Sequence, residues 1–109
     1  NEAYQRLKDP VARGAYLCAL NGHDVNSSRA LPTSFLMQQM SWREALEGAP
    51  DATAVEALAD AVAARRQALL RELAERIDTQ QDWPGAVVCV QALMFVARFA
   101  RDLDERLDA

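Results

Sequence analysis

The chain has few of the residues from which catalytic and metal-binding sites are usually built. It holds one histidine, His23, and two cysteines, Cys18 and Cys89, which lie far apart and form no CxxC pair. A lone histidine has no second one to share a metal with, and the cysteine spacing argues against both a zinc motif and a disulfide. No nucleophile–base pair, glycine-rich phosphate loop or ligand cluster supplies a reaction centre. Basic residues gather in no run with aromatics between them. Twelve Lys and Arg stand against sixteen Asp and Glu, a net charge of −4, so a nucleic-acid groove is not expected. Uninterrupted apolar runs fall far short of the ~20 residues of a membrane span, and no charged-then-apolar leader pattern opens the chain. The expectation is a cytoplasmic protein without nucleic acid, membrane, metal or cofactor as a partner.

What is present is helical. The chain has 109 residues, half of them apolar, which is enough for one small core. Asp9-Pro10 reads as an N-cap followed by proline at the first helical position, and Asn21-Gly22 as the stop. Residues 21 to 31 have turn chemistry and no period, which predicts a surface loop with His23 exposed in it. Pro32-Thr33-Ser34 opens a second helix to about Glu47, ended by Gly48-Ala49-Pro50. Thr53 to Glu56 fits a capping box, and Val55, Leu58, Val62, Leu69, Leu73 and Ile77 give a long helix from about 52 to 78. Asp82 can cap a last helix whose stripe is Val88, Ala92, Val96, Phe99, Leu103 and Leu107. Strand-type alternation appears nowhere. Helices joined by short connections predict an antiparallel bundle.

The second helix carries two apolar stripes where a peripheral bundle helix needs one. At 100° per residue, Phe35, Trp42 and Leu46 fall on one side. Leu36, Met37 and Met40 fall on roughly the other, with Glu44 and Glu47 beside them. Something must cover the second stripe: the N-terminal helix and loop, or another protein. Methionine beside leucine makes a soft surface that adapts to a partner. On the last helix Phe95 sits at the margin of the core stripe, open to a core or a partner-facing role, while Val90 and Met94 lie well off it. Arg65-Arg66 interrupt the stripe of the long helix, which predicts one arginine lying along the bundle with its head in solvent or near a carboxylate. The segment around them bears a faint likeness to the long helix of all-α chorismate mutases, which use arginines to bind a dicarboxylate; charged helices of this spacing are also ordinary surface-and-core patterns.

Three stretches resemble the HscB family of J-type co-chaperones of iron–sulfur cluster assembly. Asn1-Glu2-Ala3-Tyr4-Gln5-Arg6-Leu7-Lys8-Asp9-Pro10, with Arg13 and Tyr16-Leu17, resembles the end of a J-domain. Phe35-Leu36-Met37-Gln38-Gln39-Met40-Ser41-Trp42-Arg43-Glu44 resembles the family's Phe-Leu-Met-Glu-Gln-Met-Glu-Leu-Arg-Glu stretch. Leu93-Met94-Phe95 followed by Leu103 resembles its last helix. The resemblance divides the chain into the end of the J-domain and a connecting helix (1–22), a loop (23–31) and a C-terminal three-helix domain (32–109). It implies the C-terminal part of a longer protein. The His-Pro-Asp tripeptide through which family J-domains stimulate an HscA-type ATPase is absent.

The resemblance further implies that the bundle binds an IscU-type iron–sulfur scaffold protein and, in a complete protein, presents it to the HscA-type ATPase, with no catalysis of its own. An iron–sulfur cluster normally takes four thiolates, or two with two histidines, so a partner must hold it. The implied partner-binding residues are Leu36, Met37, Met40, Glu44 and Phe95, largely the second stripe that helical geometry leaves uncovered. Ser41 and Gly48 stand where family members often have carboxylates. A different reading of the same stripe is self-association across a two-fold axis.

Overall fold

A computed structural model of the chain describes residues 9–26 and 31–108; the stretch 1–8, which carries most of the J-domain likeness, lies outside them. Four helices follow in order: α1 (Pro10–Leu20), α2 (Thr33–Glu47), α3 (Ala52–Asp78) and α4 (Trp83–Asp108). No strand occurs among the described residues. The architecture is the expected one, an antiparallel bundle of α2, α3 and α4, with α1 laid against α3 and α4.

Local chemistry sets most of the helix limits. Asp9 accepts a hydrogen bond from the Val11 N–H at 2.9 Å, with Pro10 in the first turn. At the other end the Asn21 side chain donates to the Leu17 carbonyl, and Gly22, at φ +83°, turns the chain away in a conformation that other residues rarely adopt. α2 starts on the Pro32 carbonyl, which accepts from the Phe35 and Leu36 N–H groups. The capping box expected at Thr53 is displaced: Asp51 is extended and its carboxylate accepts from the Ala54 N–H at 2.9 Å, so Thr53 lies inside the first turn. Asp82 caps α4 as expected. It accepts from the Gly85 N–H at 3.1 Å and from Arg76, which also reaches Glu72. A side chain at position 85 would meet the Asp82 carboxylate and the Arg76 side chain, so both would have to move aside and their contact would be disturbed.

α4 is the central helix. Its predicted stripe is buried at Ala92, Val96, Phe99 and Leu103 and half-buried at Val88 and Leu107. It also buries Ala86, Val87, Cys89, Val90 and Leu93, more than one stripe can hold. The reason is α1, which covers a second side of the helix. A Cβ on Gly14 would stand 3.0 Å from a Leu73 methyl and 3.3 Å from a Val90 methyl, so α1 approaches both long helices almost backbone to side chain. Val90, off the predicted stripe, is completely buried as a result. By length and composition alone α4 could cross a membrane, although charged and polar residues interrupt its apolar runs. Half of its most apolar window is buried in the bundle, as in the core helix of a globular fold.

α3 contributes Val55, Val62, Leu69 and Leu73 to the core, with Leu58 and Ile77 half-buried. Arg65 and Arg66 are half-buried in the gap of its stripe; Arg65 donates to the Gln38 side chain at 3.2 Å, an amide rather than the expected carboxylate or solvent. Cys18 and Cys89 are free and buried. Burial raises both thiols, Cys89 to about 11 with Glu72 adding repulsion. His23 is half-buried rather than exposed: its backbone N–H donates to the Cys18 carbonyl at 2.8 Å and folds the turn back on α1.

Candidate functional site

Three attachments fix α2 and thereby decide which of its faces stays open. Its inner face carries Phe35, 6% exposed, and Trp42, 8% exposed. Phe35 meets Phe95 of α4 edge-on at 5.7 Å between centroids, and Trp42 stacks on Phe99 at 5.6 Å and on Phe95 at 6.3 Å. Rings this large let α2 reach α4 through side chains while its backbone stands off. Gln38 receives the Arg65 hydrogen bond from α3. At its C-terminal end Arg106 of α4 donates to the Leu46 and Ala49 carbonyls at 3.1 and 3.0 Å. The Leu46 carbonyl belongs to the last turn, which carries partial negative charge, and Ala49 follows just past it, so a guanidinium suits the position.

With the inner face locked, the outer stripe is presented outward. Leu36 is 43% exposed, Met37 64% and Met40 63%, and Glu44 is exposed one turn beyond Met40. Residues three and four apart adjoin on a helix surface, so these four side chains form one continuous patch with a carboxylate at its edge. α1 packs on α3 and α4 and does not serve as the cover for this stripe. All three methionines of the chain, Met94 included at 44%, are among its exposed large hydrophobic residues.

Phe95 differs from the other four. The resemblance places it on the partner-binding surface, yet its ring is 7% exposed within the stack of Phe35, Trp42 and Phe99. It does not stand out beside Leu36; it is a core ring whose margin forms the floor of a groove between α2 and α4. Arg43, Arg98 and Arg101 line that groove, and sequence reasoning gave no sign of them as a group. Arg98 and Arg101 look like ordinary solvated positions until α2 brings Arg43 across from them. Met94 was likewise legible only as a residue off the core stripe.

Among the described residues no group of acidic, histidine or cysteine side chains is arranged to hold a metal. The patch has the chemistry of an apolar protein contact with charged borders. Residues 31–104 match the family model of the HSCB C-terminal oligomerisation domain. The chain belongs to this family. The co-chaperone protein HscB homologues of Bordetella avium and Burkholderia mallei are 43% and 42% identical to it over 106 and 114 residues. These matches cover 94% and 99% of the chain and 63% and 64% of the relatives. The chaperone HscB from Vibrio cholerae superposes with a TM-score of 0.83 at 32% identity, covering 99% of this chain and 65% of that one. The chain thus spans just under two thirds of the length of the HscB proteins it matches. Its relatives are co-chaperones, proteins that are not enzymes in themselves.

Proposed function

We propose that the outer face of α2 binds an IscU-type iron–sulfur scaffold protein in the cytoplasm, and that in a longer HscB protein this domain holds the scaffold for an HscA-type ATPase. The observation that carries the reading is the exposure of Leu36, Met37 and Met40 on a helix whose other side is locked into the core. In a chain of the HscB family, such a patch calls for a protein partner. The chemistry needed from this chain is binding alone. Holding the scaffold while a J-domain elsewhere in the longer protein engages the ATPase raises the local concentration of one at the other. Leu36, Met37 and Met40 form the apolar centre, Glu44 a charged border, and Phe95 supports α2 from beneath.

Calorimetric titration of the chain with purified scaffold tests this. Saturable binding is expected, and it should be lost in the triple variant Leu36→Ala, Met37→Ala, Met40→Ala with melting unchanged. A well-folded chain that does not bind the scaffold contradicts the proposal.

The description of the matching family as an oligomerisation domain favours a second reading, in which the same patch pairs with its own copy. Sedimentation over a hundredfold concentration range separates the two. A monomer throughout supports the scaffold reading, whereas a dimer that the triple variant dissociates supports self-association.

A further inference from the structure

We propose that the groove between α2 and α4, lined by Arg43, Arg98 and Arg101 over the margin of Phe95, takes an acidic segment of the protein that binds the neighbouring apolar patch. The identity of that protein as the scaffold rests on the preceding reading; the preference of the groove for carboxylates does not.

The chain carries four more acidic than basic residues, yet three arginines from two helices line this groove. None of the three is in an ion pair among the described residues. Asp102 and Glu105 line the same groove, each four residues after Arg98 or Arg101, a spacing that permits pairing, and the arginines remain unpaired. Arg76 holds two carboxylates, Arg106 two carbonyls and Arg65 a glutamine, whereas Arg66 and Arg71 of α3 are unpaired among the described residues as the groove arginines are; what sets Arg43, Arg98 and Arg101 apart is that they line one groove. Arg43 is held across the aromatic stack, its guanidinium carbon 6.0 Å from the centroids of both Phe95 and Phe99. That contact orients the group without using its hydrogen-bond donors, which in a guanidinium match a carboxylate in a bidentate fork.

Position links the groove to the patch. Gln39 lines it from the turn above Arg43, and Arg43 is three residues beyond Met40, so a protein seated on Leu36 and Met40 overhangs the groove. Glu44 lies towards Met37, on the side away from it. The apolar centre is thus bordered by arginines on one side and a carboxylate on the other, a polarity that fixes the orientation of the bound protein. A nucleic acid fits less well, since Phe95 offers no open face for a base to stack on and the chain as a whole is anionic.

The test uses the whole chain, its Arg98→Glu/Arg101→Glu variant, and two probes, purified scaffold and a decaglutamate peptide with decalysine as control. Both substituted positions are exposed and outside the aromatic stack, so melting should be unchanged. If the parent binds scaffold, the variant should bind at least tenfold more weakly with a flatter salt dependence; equal affinity overturns the groove and leaves the scaffold reading standing. If the parent does not bind scaffold, the scaffold reading falls and the peptide decides. Saturable shifts of the Arg43, Arg98 and Arg101 side-chain NMR signals with decaglutamate, absent with decalysine and at exposed Arg71, support an acidic ligand. No shift at the three overturns it.

Discussion

Phe35 and Leu36 are neighbours in sequence on the same helix, yet one is 6% exposed and the other 43%. The two faces of α2 that they begin differ in chemistry as well as in direction. The inner face uses rigid rings, Phe35 and Trp42, which bury large areas in fixed geometry against Phe95 and Phe99. The outer face uses Leu36, Met37 and Met40, flexible side chains that a core would specify poorly and a partner's surface can mould. The comparison teaches that an apolar helix face is assigned to core or partner by the kind of side chain as much as by its number. Stability should therefore reside on one face and binding on the other.

The largest effect expected on the inner side comes from Phe99→Ala. Phe99 is completely buried, so its loss should destabilise the fold by about 3–5 kcal/mol, read by denaturant unfolding. The outer triple variant should stay within about 0.5 kcal/mol of the parent. Equal losses from the two would erase the distinction. Next in size, Leu36→Ala alone should weaken scaffold binding by about 1–3 kcal/mol with unchanged unfolding, measured by calorimetry. A smaller effect follows from releasing the end of α2: Arg106→Ala removes two hydrogen bonds and should cost about 1 kcal/mol. Hydrogen exchange should quicken at the Leu46 to Ala49 amides before it does so at α3.

The smallest effect is confined to acid. The Gly85 N–H, with Arg76, holds the Asp82 carboxyl below the usual carboxylate range. The folded value is depressed, so the stabilisation is present above the ordinary pKa of about 4 and is lost as pH falls through the depressed one. In Asp82→Asn the acid limb of the stability curve should be shallower, measured by melting between pH 2 and 5. The alkaline limb has the opposite sign: Cys89, raised to about 11, favours the fold below its ordinary value near 9 and stops doing so as pH rises through 11.

Much of this organisation is legible in the sequence because it is local. Asp9-Pro10, Pro32 and Asp82 mark helix starts by hydrogen-bond chemistry, and arithmetic at 100° per residue separates the faces of α2. α3 begins at the expected position, but its cap is Asp51 rather than Thr53: the Asp51 carboxylate, on an extended backbone, accepts from the Ala54 N–H and leaves Thr53 inside the first turn. The rest depends on neighbours distant in sequence. Val90 is buried because Gly14 lets α1 approach it closely. The depth of Phe95 depends on Trp42 stacking over it, and the arginine groove exists only where α2 meets α4. Periodicity can say that a face is apolar, but its cover is a tertiary fact.

The methionines allow the central claim to be examined directly, since the chain has three and all are exposed. A methyl NMR spectrum of methionine-labelled chain should show three signals, assigned by single Met→Leu substitutions. On titration with the iron–sulfur scaffold, the Met37 and Met40 methyls should shift or broaden in saturable fashion. Scaffold binding confirmed by calorimetry while both signals stay unmoved would place the contact elsewhere and contradict the assignment of the outer face of α2.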